Sequence, residues 1–330
     1  MTFISTGDFV DSWHFLSQKG LYPLLRRFQP LAKDRVIETW KCIDREASDW
    51  WIIPAVRQRW NEMISGGPGT IFQDHVLNTF FAGKKGLKVL SIGSGGGTAE
   101  ILFGKRDAVD KVLGMDLSPG IVKYSTGKAV KEGLPHVKFI CTDAMKFHSD
   151  EKFDVLLFNS SLHHFRHIGK VLDKTRTFLR EDGLLVFNEY TGPDRFQWSR
   201  EQLEVVNEIL ESKIPQSYKK LHGSPGYKKK CYRPGLFRTM ISDPSESVNS
   251  SKLVGEVEKR FKRLQLTHLG GNILHILLKD ISHHFTGNDE QTNGLLRKLF
   301  YEEDHFLLTS TSTSTDFSFG VYQNNSANLS

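Results

Sequence analysis

Cysteine is scarce in this sequence, and its few positions exclude two common kinds of site. Cys42, Cys141 and Cys231 are odd in number and stand far apart along the 330 residues. They match neither the paired spacings of a zinc site nor a disulfide framework, and we identify no metal ligands in the sequence. Because reduced thiols are typical of the cytosol, we expect a cytoplasmic protein.

Long apolar runs are also absent. No stretch approaches the roughly 18 residues that cross a bilayer, and the N-terminal segment lacks the basic-then-apolar layout of a secretory signal. We therefore expect no membrane partner. The net charge of +6 is modest, and the densest basic cluster, within residues 219–233, contains glycines and a proline that favour a solvated loop. The composition does not favour nucleic acid as a partner.

A short apolar strand that ends in a glycine loop is the most informative feature. Residues 88–100 read KVLSIGSGGGTAE, in which Gly93, Gly95 and Gly97 alternate. Such a loop lets bare backbone approach a ligand at the carboxyl end of a strand. The dinucleotide fingerprint needs glycine at the sixth position, which is Thr98 or Glu100 in the two possible registers. The loop therefore predicts a nucleotide-like cofactor that is not a dinucleotide.

A polar side chain also stands at or near the end of each of the next four predicted apolar strands. Asp116 ends the second strand, Asp143 the third, Asn159 follows the fourth, and Glu189 lies near the end of the fifth. Strands alternate with helical stretches over residues 88–190, which predicts a parallel sheet with helices on both faces. One acid after one strand is often only a helix cap, but this ordered series indicates a ligand site. An acid placed like Asp116 can accept hydrogen bonds from ribose hydroxyls.

Together these motifs resemble the class I S-adenosylmethionine (SAM)-dependent methyltransferases, over about residues 45–323. Residues 49–61, 189–198, 245–250 and 270–275 are similar to segments of a bacterial-type small-molecule branch. The resemblance implies SAM as cofactor, with the glycine loop under its methionine part and acids at the ribose and the adenine. Arg59 precedes the core and could pair with the SAM carboxylate. The implied cofactor-binding residues are Gly93, Ser94, Gly95, Gly97, Asp116, Leu117, Asp143, Ala144, Asn159 and Arg59.

The resemblance also implies a fold and a domain plan. We expect an α/β, Rossmann-like, doubly wound seven-stranded sheet, mostly parallel with an antiparallel last strand beside the sixth. N-terminal helices and a helical lid would complete it. The plan is an N-terminal helical region at 1–84, the SAM-binding core at 85–190, a lid or substrate segment at 191–260, the C-terminal part of the core sheet with inserted helices at 261–323, and a tail at 324–330.

Two adjacent histidines, His163 and His164, follow the fourth strand, where an acceptor would meet the methyl group. Histidine titrates near neutral pH, and a base in that range adds about 10²–10⁴-fold to a rate. Either histidine could be the base, and Glu189 and Tyr190 are second candidates, for acceptor binding or for structure. Alternatively, one histidine packs beneath the cofactor while the other caps the next helix. For Arg59, the alternative is an N-terminal helix packed on the core.

Three functions remain open at this point. The leading interpretation is a SAM-dependent methyltransferase that acts on an oxygen or nitrogen of a small-molecule acceptor, such as a natural-product intermediate or a sugar-like compound. A second is methylation of RNA or another macromolecule, although residues 159–162 read Asn-Ser-Ser-Leu where base amino-methylases carry Asp/Asn-Pro-Pro-aromatic. A third is a non-catalytic SAM-binding regulatory protein. The sequence leaves the acceptor, the oligomeric state and the pathway open.

Overall fold

The computed structural model describes residues 8–9, 49–236, 243–310 and 315–324. The helices predicted within residues 8–46 and most of the predicted tail at 324–330 therefore lie outside the described residues. The chain divides into two compact units. We call residues 61–191, 247–268 and 318–330 the sheet unit, and residues 1–60, 192–246 and 269–317 the helical unit.

The sheet unit is built on a seven-stranded mixed sheet with the order β3-β2-β1-β4-β5-β7-β6. Strand β1 pairs in parallel with both β2 and β4, and the pairs β2/β3 and β4/β5 are also parallel. The strand order reverses between β1 and β4, and open α/β sheets bind ligands at such a switch point. The predicted α/β fold is confirmed. The strands are β1 Leu87–Ile92, β2 Val109–Asp116, β3 Val137–Cys141, β4 Phe153–Asn159, β5 Leu179–Tyr190, β6 Phe261–Gly270 and β7 Phe317–Asn324.

Nine helices are longer than a single 3₁₀ turn among residues 49–236, 243–310 and 315–324. They are α1 Pro54–Ser65, α2 Phe72–Phe80, α3 Thr98–Gly104, α4 Pro119–Lys131, α5 Ile168–Arg176, α6 Arg200–Ser212, α7 Leu253–Glu258, α8 Leu274–Leu278 and α9 Glu290–Thr309. None of these helices is both long and apolar enough to cross a membrane. Pro119 predicts a helix that starts near Ser118, and helix α4 does so, with Ser118 as its N-cap and Pro119 in its first turn.

The sequence of residues 273–285 predicts one helix, and the structure shows that this prediction is wrong in its second half. Helix α8 ends at Leu278, and the chain then passes through Asp280, whose φ of 67° is left-handed. A left-handed residue cannot continue a right-handed helix, so the chain resumes as a separate 3₁₀ turn, Ser282–Phe285. The apolar run that begins at Gly183 predicts a fifth strand from that residue, but strand β5 already starts at Leu179.

The centre of the sheet is apolar on both faces. Val155, Leu156 and Leu157 of β4 and Leu185 and Val186 of β5 are all 0% exposed. Consecutive buried residues, rather than alternating ones, are expected where helices cover both faces of a parallel sheet. This core fixes the carboxyl ends of β1, β4 and β5 in relation to each other.

Candidate functional site

The glycine loop after β1 follows a path that only glycine adopts easily. Gly93, Gly95 and Gly97 have φ angles of 70°, 51° and 74°, which is the left-handed region. A Cβ on Gly93 would lie 2.6 Å from the Ser161 Cβ, and one on Gly97 would lie 2.6 Å from the Phe139 ring. A Cβ on Gly95 would meet nothing within 4 Å, so the loop presents open backbone at its middle.

Asp116, at the end of β2, is tied directly to this loop. Its Oδ2 accepts the Gly95 N–H at 3.1 Å, and its Oδ1 accepts the Ser118 N–H at 2.9 Å. A carboxylate offers about four lone-pair sites, so capacity remains for further donors. The side chain is half-buried and braces the loop on one side and helix α4 on the other.

The end of β3 lies beside the end of β2. The Thr142 N–H donates to the Asp116 carbonyl at 3.0 Å, and Asp143 caps its own turn by accepting the Met145 N–H at 3.0 Å. Ala144 is buried, and the Leu117 carbonyl accepts the Cys141 thiol at 3.6 Å. The predicted residues of β1, β2 and β3 therefore gather at one edge of the sheet.

A buried carboxylate–histidine pair lies at the ends of β4 and β5. The Glu189 side chain is 0% exposed, and its Oε2 lies 2.5 Å from the His163 Nδ1. Its Oε1 accepts the N–H groups of Ser161 and Leu162 at 2.6 and 2.7 Å. Burying a carboxylate is expensive unless donors surround it, and these three donors supply that. A carboxylate acceptor at this position requires the imidazole to carry its proton on Nδ1.

The turn that carries this histidine is strained and held to β1. Ser160 is left-handed, with a φ of 52°, a conformation that costs a non-glycine residue about 1 kcal/mol or more. The Ser161 hydroxyl donates to the Ile92 carbonyl at 2.6 Å, directly before the glycine loop. Asn159 accepts a hydrogen bond from the Asn188 amide at 3.1 Å. The His163 turn and the glycine loop are thus fixed to one another.

Of the remaining predicted residues, Tyr190 and His164 lie near His163, whereas Arg59 belongs to the other compact unit. The Tyr190 ring is 2% exposed and stands nearly perpendicular to the His163 ring at 6.4 Å, and the His164 ring lies 4.3 Å from that of His163. Arg59 belongs to the helical unit, where its guanidinium pairs with Asp304 at 2.5 Å and covers the Phe300 ring. The sequence grouped Arg59 with the cofactor residues, and that role stays a prediction.

Sequence reasoning missed one buried acid of this edge, Glu100 on helix α3. It is 1% exposed, and its Oε1 accepts the Ser91 hydroxyl at 2.5 Å. Its Oε2 is buried and has no hydrogen-bond partner among the residues that the structure describes. Burial raises the pKa of Glu100 to about 7, although the Ser91 hydrogen bond opposes the shift. A helix of seven residues carries too little periodicity to show which way this side chain points.

The chain is similar in sequence to a family of methyltransferases. A family model described as a methyltransferase domain matches residues 83–261. The chain is 28% identical over 181 residues to a demethylmenaquinone methyltransferase of Bacteroides fragilis, covering 54% of this chain and 70% of that enzyme. It is 25% identical over 107 residues to a malonyl-[acyl-carrier protein] O-methyltransferase of Acetivibrio thermocellus.

The coverage of these similarities is partial. The match to the malonyl-[acyl-carrier protein] enzyme spans 32% of this chain and only 37% of that relative. Among solved structures, a phosphoethanolamine N-methyltransferase 2 of Haemonchus contortus in complex with SAM aligns with a TM-score of 0.49 at 15% identity. That alignment covers 82% of this chain and 56% of the other.

Proposed function

Because the chain belongs to the class I SAM-dependent methyltransferases, with SAM as cofactor, we propose that it methylates an oxygen or nitrogen of a small molecule and that His163 is the base. The contact between Glu189 and His163 carries the second part of the proposal. The name of the demethylmenaquinone relative supports a small acceptor. The acceptor would be a natural-product intermediate or a sugar-like compound.

The residues at the sheet edge fit the cofactor. SAM, when bound, supplies a methyl group made electrophilic by its sulfonium. Gly95 leaves room for a ligand against the loop backbone, because a Cβ there would meet nothing within 4 Å. Asp116 keeps lone pairs for ribose hydroxyls beyond the two N–H groups that it already holds. We propose that Asp143 and Ala144 line the adenine end, with Asn159 supporting the pocket.

Proton removal is the chemical task left to the protein. As the acceptor oxygen or nitrogen forms its bond to the methyl carbon, the bond from carbon to sulfur breaks, and the acceptor proton must leave. The Nε2 of His163 takes that proton, while Glu189 keeps the imidazole in the required tautomer and stabilises the imidazolium that forms. Glu189 acts through the histidine and is therefore a positioning residue.

Replacing His163 tests this assignment. In His163→Ala we expect the formation of S-adenosylhomocysteine (SAH), measured with an extract of small-molecule acceptors, to fall by about 10²–10⁴-fold. SAM affinity, measured by calorimetric titration, should stay within about twofold. The pH dependence of the rate should also change in the variant, because it lacks the group proposed to take the acceptor proton.

The matched control is His148→Ala. His148 is exposed and lies in the connection between β3 and β4, before the strand that leads to His163. Wild-type turnover in the control together with lost turnover in His163→Ala supports the base. Full turnover in both variants would exclude His163 as the base, and SAM binding without turnover by wild-type protein on any extract would favour a binding protein.

A further inference from the structure

A polar groove in the sheet unit opens between helix α5 and the segment that leads into helix α7. Its volume is ≈ 320 Å³. Its floor includes Gly169, where a Cβ would lie 2.5 Å from an Arg260 guanidinium nitrogen and 2.8 Å from a Glu256 carboxylate oxygen. The groove is therefore shaped by packed charged side chains against bare backbone, rather than by a loose surface loop.

The charges in the groove do not balance. Its two acids, Asp173 and Glu256, are both taken by Arg260, at 2.6 and 2.8 Å. Arg166, Lys170 and Lys252 also line it and are exposed. None of those last three forms an ion pair with any residue in the ranges that the structure describes. Four cations and two acids therefore line the cavity, which leaves a net charge of +2 carried by side chains on two separate segments.

The groove begins only a few residues after the turn that carries His163. Arg166 follows His163 by three residues, which limits the distance between their Cα atoms to about 11 Å. The Asn249 amide donates to the Arg166 carbonyl at 2.7 Å, and the Val248 N–H donates to the His163 carbonyl at 3.3 Å. The same two-residue segment therefore fixes both the groove and the base.

We propose that this groove binds a phosphate monoester on the acceptor, so that the acceptor is a phosphorylated small molecule. This inference rests on the proposed function. A dianionic phosphate matches the net charge of +2 in the groove, and Arg166 can present two parallel donors to it. The short separation from His163 lies within the length of a small phosphorylated compound. Phosphate binding would then position the acceptor's hydroxyl or amine group at the base.

The first test measures inorganic phosphate binding to the SAM-loaded protein by calorimetry. Each charge-assisted hydrogen bond contributes enough to change affinity about tenfold or more. The double variant Lys170→Gln/Lys252→Gln should therefore bind phosphate at least about tenfold more weakly. The matched control Lys131→Gln/Lys138→Gln removes the same charge from exposed positions on α4 and β3 and should change binding less than about twofold.

Two results of that titration would overturn the inference. One is equal weakening in the groove variant and the control, which would mean a general charge effect. The other is no phosphate binding by folded wild-type protein, which would leave the groove to an acidic macromolecule. Unchanged SAH binding in both double variants shows that they remain folded at the cofactor edge.

The second test separates this inference from the proposed function. An extract of small molecules is assayed for SAH formation before and after treatment with alkaline phosphatase, which is then removed. We expect turnover with the untreated extract and at least a tenfold loss after treatment. Equal turnover with both would overturn the phosphate inference alone, whereas SAH formation with neither would contradict the proposed function.

Discussion

The Asp116 carboxylate connects the glycine loop to the start of helix α4 through two backbone N–H groups. In Asp116→Ala the loop loses this support, and the ribose of SAM loses its expected acceptor. Hydrogen bonds to a charged group contribute about 1.5–3 kcal/mol each, so we expect the affinities for SAM and SAH to fall about 100-fold or more. Calorimetric titration with both ligands measures this directly.

The control for this prediction is Asp110→Ala. Asp110 is an exposed acid on the same strand, far from its carboxyl end, and its loss should leave both affinities within about twofold. If Asp116→Ala binds SAM as wild-type protein does, the proposed placement of the ribose is wrong. A folded-state check by circular dichroism is needed, because the two lost backbone contacts also hold local structure.

At the residue scale, the sequence predicts which residues belong to the candidate site better than it predicts the hydrogen bonds between them. The alternating glycines and Asp116 follow from spacing, because a left-handed loop and an acid after the next strand are local requirements. His163 and Glu189 were both named, but their hydrogen bond was not predicted. It joins two strand ends that meet only in the folded sheet. Glu100 was missed because nothing local distinguishes an inward-facing acid from a solvated one.

At the element scale, prediction succeeded where pattern and packing agree. The strand ends on the cofactor side were located within a few residues, because buried parallel strands form unbroken apolar runs bounded by polar residues. The helix predicted over residues 273–285 extends too far because buried apolar residues lie on both sides of the break at Asp280. Leu278 and Ile281 are both buried, so the apolar pattern alone does not show that the helix ends between them.

The buried Glu100 carboxyl of α3, which accepts the Ser91 hydroxyl of β1, should make the free energy of unfolding depend on pH. The folded pKa of Glu100, about 7, lies above its ordinary value of 4.5. Between these values the folded chain holds a proton that the unfolded chain has lost, so the free energy of unfolding falls as pH rises. Each pK unit of difference corresponds to about 1.4 kcal/mol. The stability that the protonated carboxyl provides is present below pH 4.5 and is lost as the pH rises through about 7.

Glu100→Gln should remove this pH dependence. Glutamine keeps an acceptor for the Ser91 hydroxyl but carries no charge at any pH. We expect the variant to exceed wild-type protein in unfolding free energy by roughly 2–3 kcal/mol at pH 8 and to match it near pH 5. Urea denaturation followed by circular dichroism measures both. Glu62→Gln, at an exposed site on α1, should change stability little at either pH, and the same pH-independent gain in both variants would contradict the assignment.

At the scale of the whole molecule, the residues proposed to bind SAM lie in one compact unit, apart from Arg59. The glycine loop, Asp116, Asp143 and the His163 turn all belong to the sheet unit, while Arg59 belongs to the helical unit. A ligand that binds only the folded state adds RT ln(1 + [L]/Kd) to its stability. The effect of SAM on unfolding should therefore concentrate on the transition that includes the sheet unit.

Differential scanning calorimetry with and without SAM tests this expectation. At a SAM concentration about 100-fold above Kd, the gain is about 2.7 kcal/mol, which corresponds to a rise in Tm of roughly 5–10 °C for a unit of this size. If the units unfold separately, one transition shifts and the other stays; if they unfold together, the whole peak moves. In Asp116→Ala the same SAM concentration should leave the Tm of every transition unchanged, because the variant has lost the SAM affinity that drives the shift. A full shift in that variant would mean that SAM binds elsewhere on the chain, and it would remove the basis for placing the methyl group opposite His163.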